Sequence, residues 1–510
     1  MLDFSKLKEF AKQEDRIAAV GSEGTLSYRE LYESVENLKS FIRGLSDDRS
    51  PILVIGDKEN LLLAGIFAVV FSGHPYVAVA PSYPYSRIVD IEKSCSPCAV
   101  LNFSSKDFGS TEEHWYNADF LAEVAAKKPA AELPNAEWHD DDVMAIFYTS
   151  GSSGKPKGVK ITYANMSCSM DKRAWIFEYC GLTRPEQPVV LNFSSYGFIA
   201  SVSQLFVDIS IYGSRLYAIG RDLLSDYKRL MNYIRDVNPT HYVCTPAFIS
   251  MCLKDKDFSS DSLDRLQFII SGGAELPKST AAEFGRRFPN THLLNVYGST
   301  EVCGSGLIYD CHDGDVDGDG AVSSGECYPF TEAYVADENG NELPDDEIGE
   351  LRIISPSVSA GYYDSDRDPF FYTADGKRGF CSGDLFKREN GLLYYEGRID
   401  SLVKLGGYRV ETFDVERNLA ACDMVKACVV SPCSKDGEVK LLTAFVVLND
   451  GVEPGIKTTA AIKKQLREKI QHYAVPQRFV YLDVLPLNYN NKVDRVALKK
   501  RATDEYLGKY

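Results

Sequence analysis

Two hydrophobic patterns divide the chain. Over the first 400 residues, short apolar runs of strand length alternate with longer runs of helix length. Ile52-Leu53-Val54-Ile55-Gly56 predicts a strand, residues 61–71 a buried helix, and Tyr76-Val77-Ala78-Val79 the next strand. Strand, helix and strand at this spacing imply crossover connections and mainly parallel sheets. The last 110 residues read differently. Cys428-Val429-Val430 and residues 441–447 are β-like, while Ile462, Leu466 and Ile470 recur every four residues on one face of a helix over 458–473. Pro476 is expected to stop that helix. The expected fold is α/β, with a large N-terminal domain over 1–399 and a small α+β domain over 400–510. The boundary follows the turn-rich Glu389-Asn390-Gly391 stretch.

Composition narrows the class. At 510 residues, with 44% hydrophobic, 25% charged and 12% aromatic positions, the chain is globular and large enough for several folding units. The net charge of −17 repels nucleic-acid phosphates and anionic lipid, so no nucleic-acid partner is expected. The longest apolar run has 11 residues. A membrane span needs about 20, so none is predicted. The first ten residues are amphipathic and lack the apolar stretch of a signal peptide. With 13 cysteines and no such peptide, reduced thiols and a cytoplasmic location are expected. Cys95-Ser96-Pro97-Cys98 has no second pair or histidine at zinc spacing and is read as structural.

The sharpest local signal is Tyr148-Thr149-Ser150-Gly151-Ser152-Ser153-Gly154-Lys155-Pro156-Lys157-Gly158, directly after the apolar strand Val143-Met144-Ala145-Ile146-Phe147. Glycines let a backbone bend and present N–H groups to an anion. Thr149, Ser150, Ser152 and Ser153 add neutral donors, and Lys155 and Lys157 add positive charge, a set suited to a polyphosphate. A Walker A loop needs Gly-Lys-Ser/Thr entering a helix, and Pro156 after Lys155 breaks that match. Taken alone, the segment could also be a polar surface loop.

Further motifs follow in order. They are Asn295-Val296-Tyr297-Gly298-Ser299-Thr300-Glu301, Gly349-Glu350-Leu351 with Gly361-Tyr362-Tyr363, and Ser382-Gly383-Asp384. Then come the run from Gly397-Arg398-Ile399-Asp400 through Lys404-Leu405-Gly406-Gly407 to Glu411, and Asn490-Asn491-Lys492-Val493-Asp494-Arg495. With the phosphate loop, this ordered set resembles the adenylate-forming superfamily of acyl-CoA synthetases, luciferases and nonribosomal-peptide adenylation domains. The likeness runs along essentially the whole chain. Within the superfamily the chain most resembles stand-alone D-alanine:D-alanyl carrier protein ligases, through Asp48-Arg49-Ser50-Pro51-Ile52, Thr245-Pro246-Ala247-Phe248 and Pro356-Ser357-Val358-Ser359-Ala360-Gly361-Tyr362.

The resemblance implies a two-step reaction. A carboxylate attacks the α-phosphate of ATP to give an acyl-adenylate, and a thiol, carrier-bound phosphopantetheine above all, then takes the acyl group. It also implies a distorted β-barrel late in the large domain and a mobile small domain. The implied roles are these. Lys492 bridges carboxylate and α-phosphate, as a compact ammonium can. Glu301 holds Mg2+, because hard cations prefer oxygen ligands. Thr149, Ser150, Gly151, Ser152, Ser153, Gly154, Lys157, Ser299 and Thr300 surround the phosphates. Tyr297 stacks on the adenine and Asn295 reads its edge, Gly273, Ala274 and Gly298 are further ATP-binding positions, Asp384 accepts both ribose hydroxyls, and Arg398 contacts ribose or phosphate. The small domain swings about Asp400, which brings Lys404 and Gly407 to the site for thiol transfer.

One departure bears on the substrate. Amino-acid-activating relatives carry Phe-Asp-x-Ser, whose aspartate pairs with the substrate ammonium. Here the stretch is Phe198-Ile199-Ala200-Ser201. A buried ammonium without a partner costs several kcal/mol. The acid pocket matched by position, Phe198, Ile199, Ala200, Ser203, Gly272, Val296, Gly304 and Ser305, is small or apolar apart from hydroxyls. The expected substrate is therefore a small carboxylic acid without a free α-amino group. A one-residue shift in this match, or a compensating acid such as Asp208, would restore an amino-acid substrate. D-alanine ligation, coenzyme A as acceptor and an inactive ligand-binding protein stand as rival readings. Ala80, where the D-alanine ligases carry Asp, has no functional account. Residues 315–326 place acids and a glycine partly as in an EF-hand, but no flanking helices are predicted, so a polar surface loop is expected there.

Overall fold

The computed structural model describes residues 5–46, 48–127, 133–150, 156–312, 314, 316–363, 368–405, 408–435, 438–470, 472–488 and 492–508. Four sheets organise them. The largest has nine strands in the spatial order Glu326–Cys327, Gly304–Asp310, His292–Ser299, Phe268–Gly272, His241–Cys244, Val189–Asn192, Arg215–Ala218, Ile17–Gly21 and Gly24–Ser27. The six from His292–Ser299 to Ile17–Gly21 are parallel, with antiparallel strands at both edges. A second sheet orders Trp115–Tyr116, Ala99–Asn102, Ile52–Ile55, Tyr76–Val79, Val143–Ser150 and Pro156–Thr162, parallel except for the last hairpin.

The helix Asn60–Ser72 is buried from Leu62 to Phe71, and its residues join side chains of both sheets in one apolar cluster. A helix held between two sheets has no wet face, so this segment is apolar all round. Gly73 closes it in the left-handed conformation, at φ 92°. The crossover unit expected over 52–79 is thus present, with each boundary within a residue of expectation.

Where a distorted barrel was expected stands an antiparallel sheet of Glu332–Ala336, Ile348–Ile354, Arg378–Glu389 and Phe370–Tyr372, with Leu392–Arg398 paired to Arg378–Glu389. Glu389-Asn390-Gly391 is the tight turn of that hairpin, with positive φ at Asn390 (51°) and Gly391 (81°). The remaining residues build the fourth sheet from Tyr408–Glu411, Leu402–Leu405, Glu438–Leu448, Val425–Lys435 and Arg478–Tyr481. The helices Thr412–Ala420, Ile456–Arg467 and Arg495–Tyr506 accompany it. It has apolar clusters of its own, so the α+β reading of this part holds. The helix expected over 458–473 ends earlier, at Arg467. Ile470 still packs on the same core, from a turn in which its N–H bonds the Leu466 carbonyl at 2.9 Å. Periodicity therefore overran the helix end, and Pro476 is not its stop. Among the described residues no helix is long and apolar enough to cross a membrane.

Candidate active site

Thr149, Gly272 and Tyr297 lie at or near the carboxyl ends of strands in the parallel sheets, where open α/β sheets bind ligands. Tyr297 lies near the end of the strand His292–Ser299, and its hydroxyl donates to Asp384 Oδ2. Arg398 Nη1 donates to the other oxygen, Oδ1, at 2.7 Å. Asp384 and Arg398 face each other across the hairpin, so strand register alone brings this pair together. Burial, with the carboxylate next to it, pushes the Tyr297 phenol well above its usual range, which keeps it a donor. Its ring meets Phe386 edge-on at 4.8 Å.

Just beyond Tyr297 the strand bulges. A Cβ on Gly298 would fall 1.8 Å from the Gly304 carbonyl oxygen, so only glycine lets these backbones cross. The bulge turns Thr300 and Glu301 out into a short 3-10 segment. Glu301 Oε1 accepts from the Tyr362 hydroxyl at 2.9 Å, and its carbonyl accepts from Ser359 N–H at 2.8 Å. Lys157 sits over the Tyr362 ring, 5.7 Å from the centroid. Lys157 is the register partner of Thr149 at the mouth of the phosphate loop. One short chain of contacts therefore joins that loop to Glu301. Gly151, Ser152, Ser153, Gly154 and Lys155 lie outside the described residues. So does the side chain of Ser150.

Other expected groups are turned elsewhere. Asn295 is buried and donates to the Ser323 carbonyl at 2.8 Å, which ties the strand to its neighbour rather than to the surface. The Ser299 and Ser271 hydroxyls are buried without a hydrogen-bond partner among the described residues. Gly272 registers against Val296, and Gly273 follows it with φ 81°. Ala274 is exposed beside them.

A family model described as AMP-binding enzyme matches residues 7–363, and its C-terminal domain model matches residues 414–492. A D-alanine--D-alanyl carrier protein ligase of Bacillus cereus (strain G9842) is 32% identical over 494 residues, covering 96% of this chain and 97% of the relative. The chain belongs to the AMP-binding enzyme family. It is an adenylate-forming ligase. ATP-bound MatB from Rhodopseudomonas palustris shares the fold at a TM-score of 0.80 and 21% identity, covering 99% of this chain and 100% of that one. O-succinylbenzoate coenzyme A synthetase (MenE) from Bacillus subtilis, in complex with ATP and magnesium ion, does so at 0.80 and 22%, covering 97% and 98%.

In this AMP-binding enzyme, the segment that would receive the acid follows the strand Val189–Asn192. Phe198 and Ile199 are half-buried, and Ile199 and Val296 pack against the same apolar cluster. Ser201 donates to the Phe198 carbonyl at 2.7 Å. Ala200 is exposed, and Ser203 donates to its carbonyl at 3.3 Å. Gly304 and Ser305 are half-buried on the strand opposite Gly298 and Ser299. Asp208 is no compensating acid. It is fully buried, with Arg173 at 3.4 Å and His241 Nε2 at 3.1 Å, on the wall of a stacked His241–Phe268 pair.

Lys58 is a group that sequence reasoning passed over. It follows the strand Ile52–Ile55, and its ammonium donates to Asn192 Oδ1 at 2.8 Å and the Ser194 carbonyl at 2.6 Å, with the Tyr196 ring 5.2 Å away. Burial lowers its pKa to about 8. It holds the base of the acid segment, and a lysine directly after a strand in Gly56-Asp57-Lys58-Glu59 was the signal available. The contact of Tyr362 with Glu301 was likewise missed, although the motif that carries Tyr362 was visible.

The second part of the chain contributes less here. Lys492 is exposed, and its backbone N–H and carbonyl pair with Asn488 at 3.1 and 2.7 Å. Asp400 lies in the 3-10 turn Ile399–Ser401 and Lys404 in the strand Leu402–Leu405, while their side chains and Gly407 lie outside the described residues. Asp315 lies outside them too. The rest of that loop has a strand before and after it, and Lys278 Nζ donates to the Asp317 carbonyl at 3.0 Å.

Proposed function

We propose that this ligase joins a carboxylic acid without a free α-amino group to the phosphopantetheine thiol of a carrier protein, through an acyl-adenylate. The observation that carries the choice of acid is Ile199, half-buried on an apolar cluster, with the candidate acid Asp208 enclosed by its own cation. The relatives named for a carrier protein support the acceptor. The acidic chain and its cysteines, all free thiols, suit a cytoplasmic enzyme.

Bringing a carboxylate to a triphosphate sets two anions together, so the work is positioning and charge neutralisation. Asp384 would accept the ribose hydroxyls and Tyr297 would carry the adenine. Thr149, Lys157 and the loop backbone would hold the phosphates, with Lys492 placed between acid and α-phosphate by the part of the chain after Asp400. A hard cation fits Glu301. Its carboxylate is half-buried, one oxygen is steadied by Tyr362, and no side chain among the described residues hydrogen-bonds to Oε2. Mg2+ held there would shield the phosphate charge. Residues 1–399 would act as the adenylating core and 400–510 as a lid that turns about Asp400 between the two steps.

The second reading is D-alanine ligation, favoured by the names of the relatives at 32% identity. Pyrophosphate exchange with ATP and Mg2+ across D-alanine, L-amino acids, fatty acids, aryl acids and 2-hydroxy or 2-keto acids separates the two. Exchange restricted to acids without an α-amino group is expected. Exchange with D-alanine alone would replace this reading with the second one.

A further inference from the structure

At the end of the large sheet away from the nucleotide site, three elements meet: the end of the helix Tyr163–Tyr179, the start of the strand His292–Ser299 and the end of the strand Gly304–Asp310. Each brings one side chain of metal-binding type. The Cys180 sulfur, a His292 ring nitrogen and an Asp310 carboxylate oxygen all lie within 4.8 Å of one another, and all three residues are half-buried. His292 Nδ1 stands 2.6 Å from Asp310 Oδ2, and Asp310 Oδ1 accepts from the His312 backbone N–H at 2.9 Å. The carboxylate is thus oriented from both sides.

The chemistry of the three fits one kind of guest. Thiolate, imidazole and carboxylate are the ligands of Zn2+ and similar borderline divalent ions, whereas Mg2+ prefers oxygen alone. Zinc ligand atoms sit about 2.0–2.3 Å from the ion and hence about 3.3–3.7 Å from one another, so His292 Nδ1 and Asp310 Oδ2 need to part slightly from 2.6 Å while the sulfur closes in. Without a cation the arrangement disfavours the thiolate. Burial, then the carboxylate of Asp310, pushes Cys180 up to about 12. Arg173 is the neighbouring cation, but its guanidinium is paired with buried Asp208.

We infer that Cys180, His292 and Asp310 bind a zinc-class divalent ion, with water as the fourth ligand. The site is structural. His292 precedes Tyr297 by five residues on one strand, about 17 Å at about 3.3 Å per residue. The ion would pin the helix end to the two strands whose far ends carry Tyr297, Gly298 and Gly304. Binding releases the thiol proton, so affinity should rise with pH.

The test uses the full chain, stripped with chelator and titrated with Zn2+ and with Co2+ as a spectroscopic probe. The expected result is one tight equivalent of Zn2+, a thiolate-to-cobalt charge-transfer band, a higher thermal midpoint with Zn2+, and no displacement by millimolar Mg2+. Cys180→Ser and Asp310→Asn should each lose the band and the thermal shift. Cys98→Ala should keep both, although that thiol also lies near a histidine, 4.0 Å from His74 Nδ1. Circular dichroism of the metal-free variants checks that they fold, and if one does not, the other carries the comparison. Absence of a tight equivalent in the wild-type chain, or a band that survives in Cys180→Ser, overturns the assignment. Neither result touches the choice of acid, which is read by exchange.

Discussion

Tyr362→Phe isolates a single hydroxyl in the nucleotide site. The variant keeps the ring, and with it the Lys157 contact at 5.7 Å and the packing on Phe370 at 5.7 Å. It removes the hydrogen bond to Glu301 Oε1, 2.9 Å long, from a neutral donor to a charged acceptor. Such bonds contribute about 1.5–3 kcal/mol, and because Glu301 is half-exposed the lower end applies. At about 1.4 kcal/mol per factor of ten, the loss corresponds to roughly tenfold. It should appear in the Mg2+ dependence of pyrophosphate exchange, since the freed carboxylate must be re-ordered before it can hold the ion, and losing an orienting partner typically costs a metal site about 10–100-fold. The same change made in a Glu301→Gln background should have little further effect, because the charge that strengthened the bond is gone. A Tyr362→Phe enzyme whose Mg2+ dependence matches the wild type, or equal losses in both backgrounds, would refute the coupling of Tyr362 to Glu301.

Asp384→Asn leaves Arg398 facing a neutral amide and would weaken the proposed grip on ribose. A rise in the KM for ATP of about 10–100-fold is expected from the loss of about 1.5–3 kcal/mol of charged hydrogen bonding, read by exchange at saturating acid. Gly298→Ala drives a methyl into the Gly304 carbonyl. Overpacking of this kind costs about 1–3 kcal/mol, visible as a lower denaturant midpoint together with lost exchange activity. Burial raises the Cys95, Cys303 and Cys428 thiols to about 12 each. For a thiol raised on folding, the stabilisation is complete below its unfolded pKa near 9 and is lost as pH climbs through the folded value. The thermal midpoint should therefore fall between about pH 9 and 12, against the smaller opposite contribution of Lys58, and a midpoint flat across that range would contradict the burial of these thiols.

Much of the architecture is legible in the amino-acid sequence, and the reason is local. The segment that forms Asn60–Ser72 is apolar on every side, which only a helix between two sheets tolerates, and the flanking strands keep their expected boundaries. The motifs expected at the nucleotide stand in sequence order at strand ends, and the structure brings their Tyr297, Asp384 and Arg398 together. What is not legible depends on contacts between distant segments. Tyr362 reaches Glu301 across 61 positions, and Lys58 reaches Asn192 across 134. No periodicity encodes such pairs. Asn295 stands two residues before Tyr297 on the same face of the strand, and its amide is donated to the Ser323 carbonyl, a pairing that no spacing encodes. The expected helix ran past the true end at Arg467 because Ile470 keeps the same spacing from within a turn.

The hairpin that pairs Asp384 with Arg398 ends two residues before Asp400. Both oxygens of that carboxylate already have donors, one from Tyr297 and one from Arg398. A carboxylate can accept about four hydrogen bonds, so an arriving ribose would share it with partners already in place. One of those partners, Arg398, is the last residue of the strand that leads out of the large domain. Nucleotide occupancy would then be felt as slack or tension in the very stretch of backbone from which the rest of the chain hangs, with no separate relay between the two.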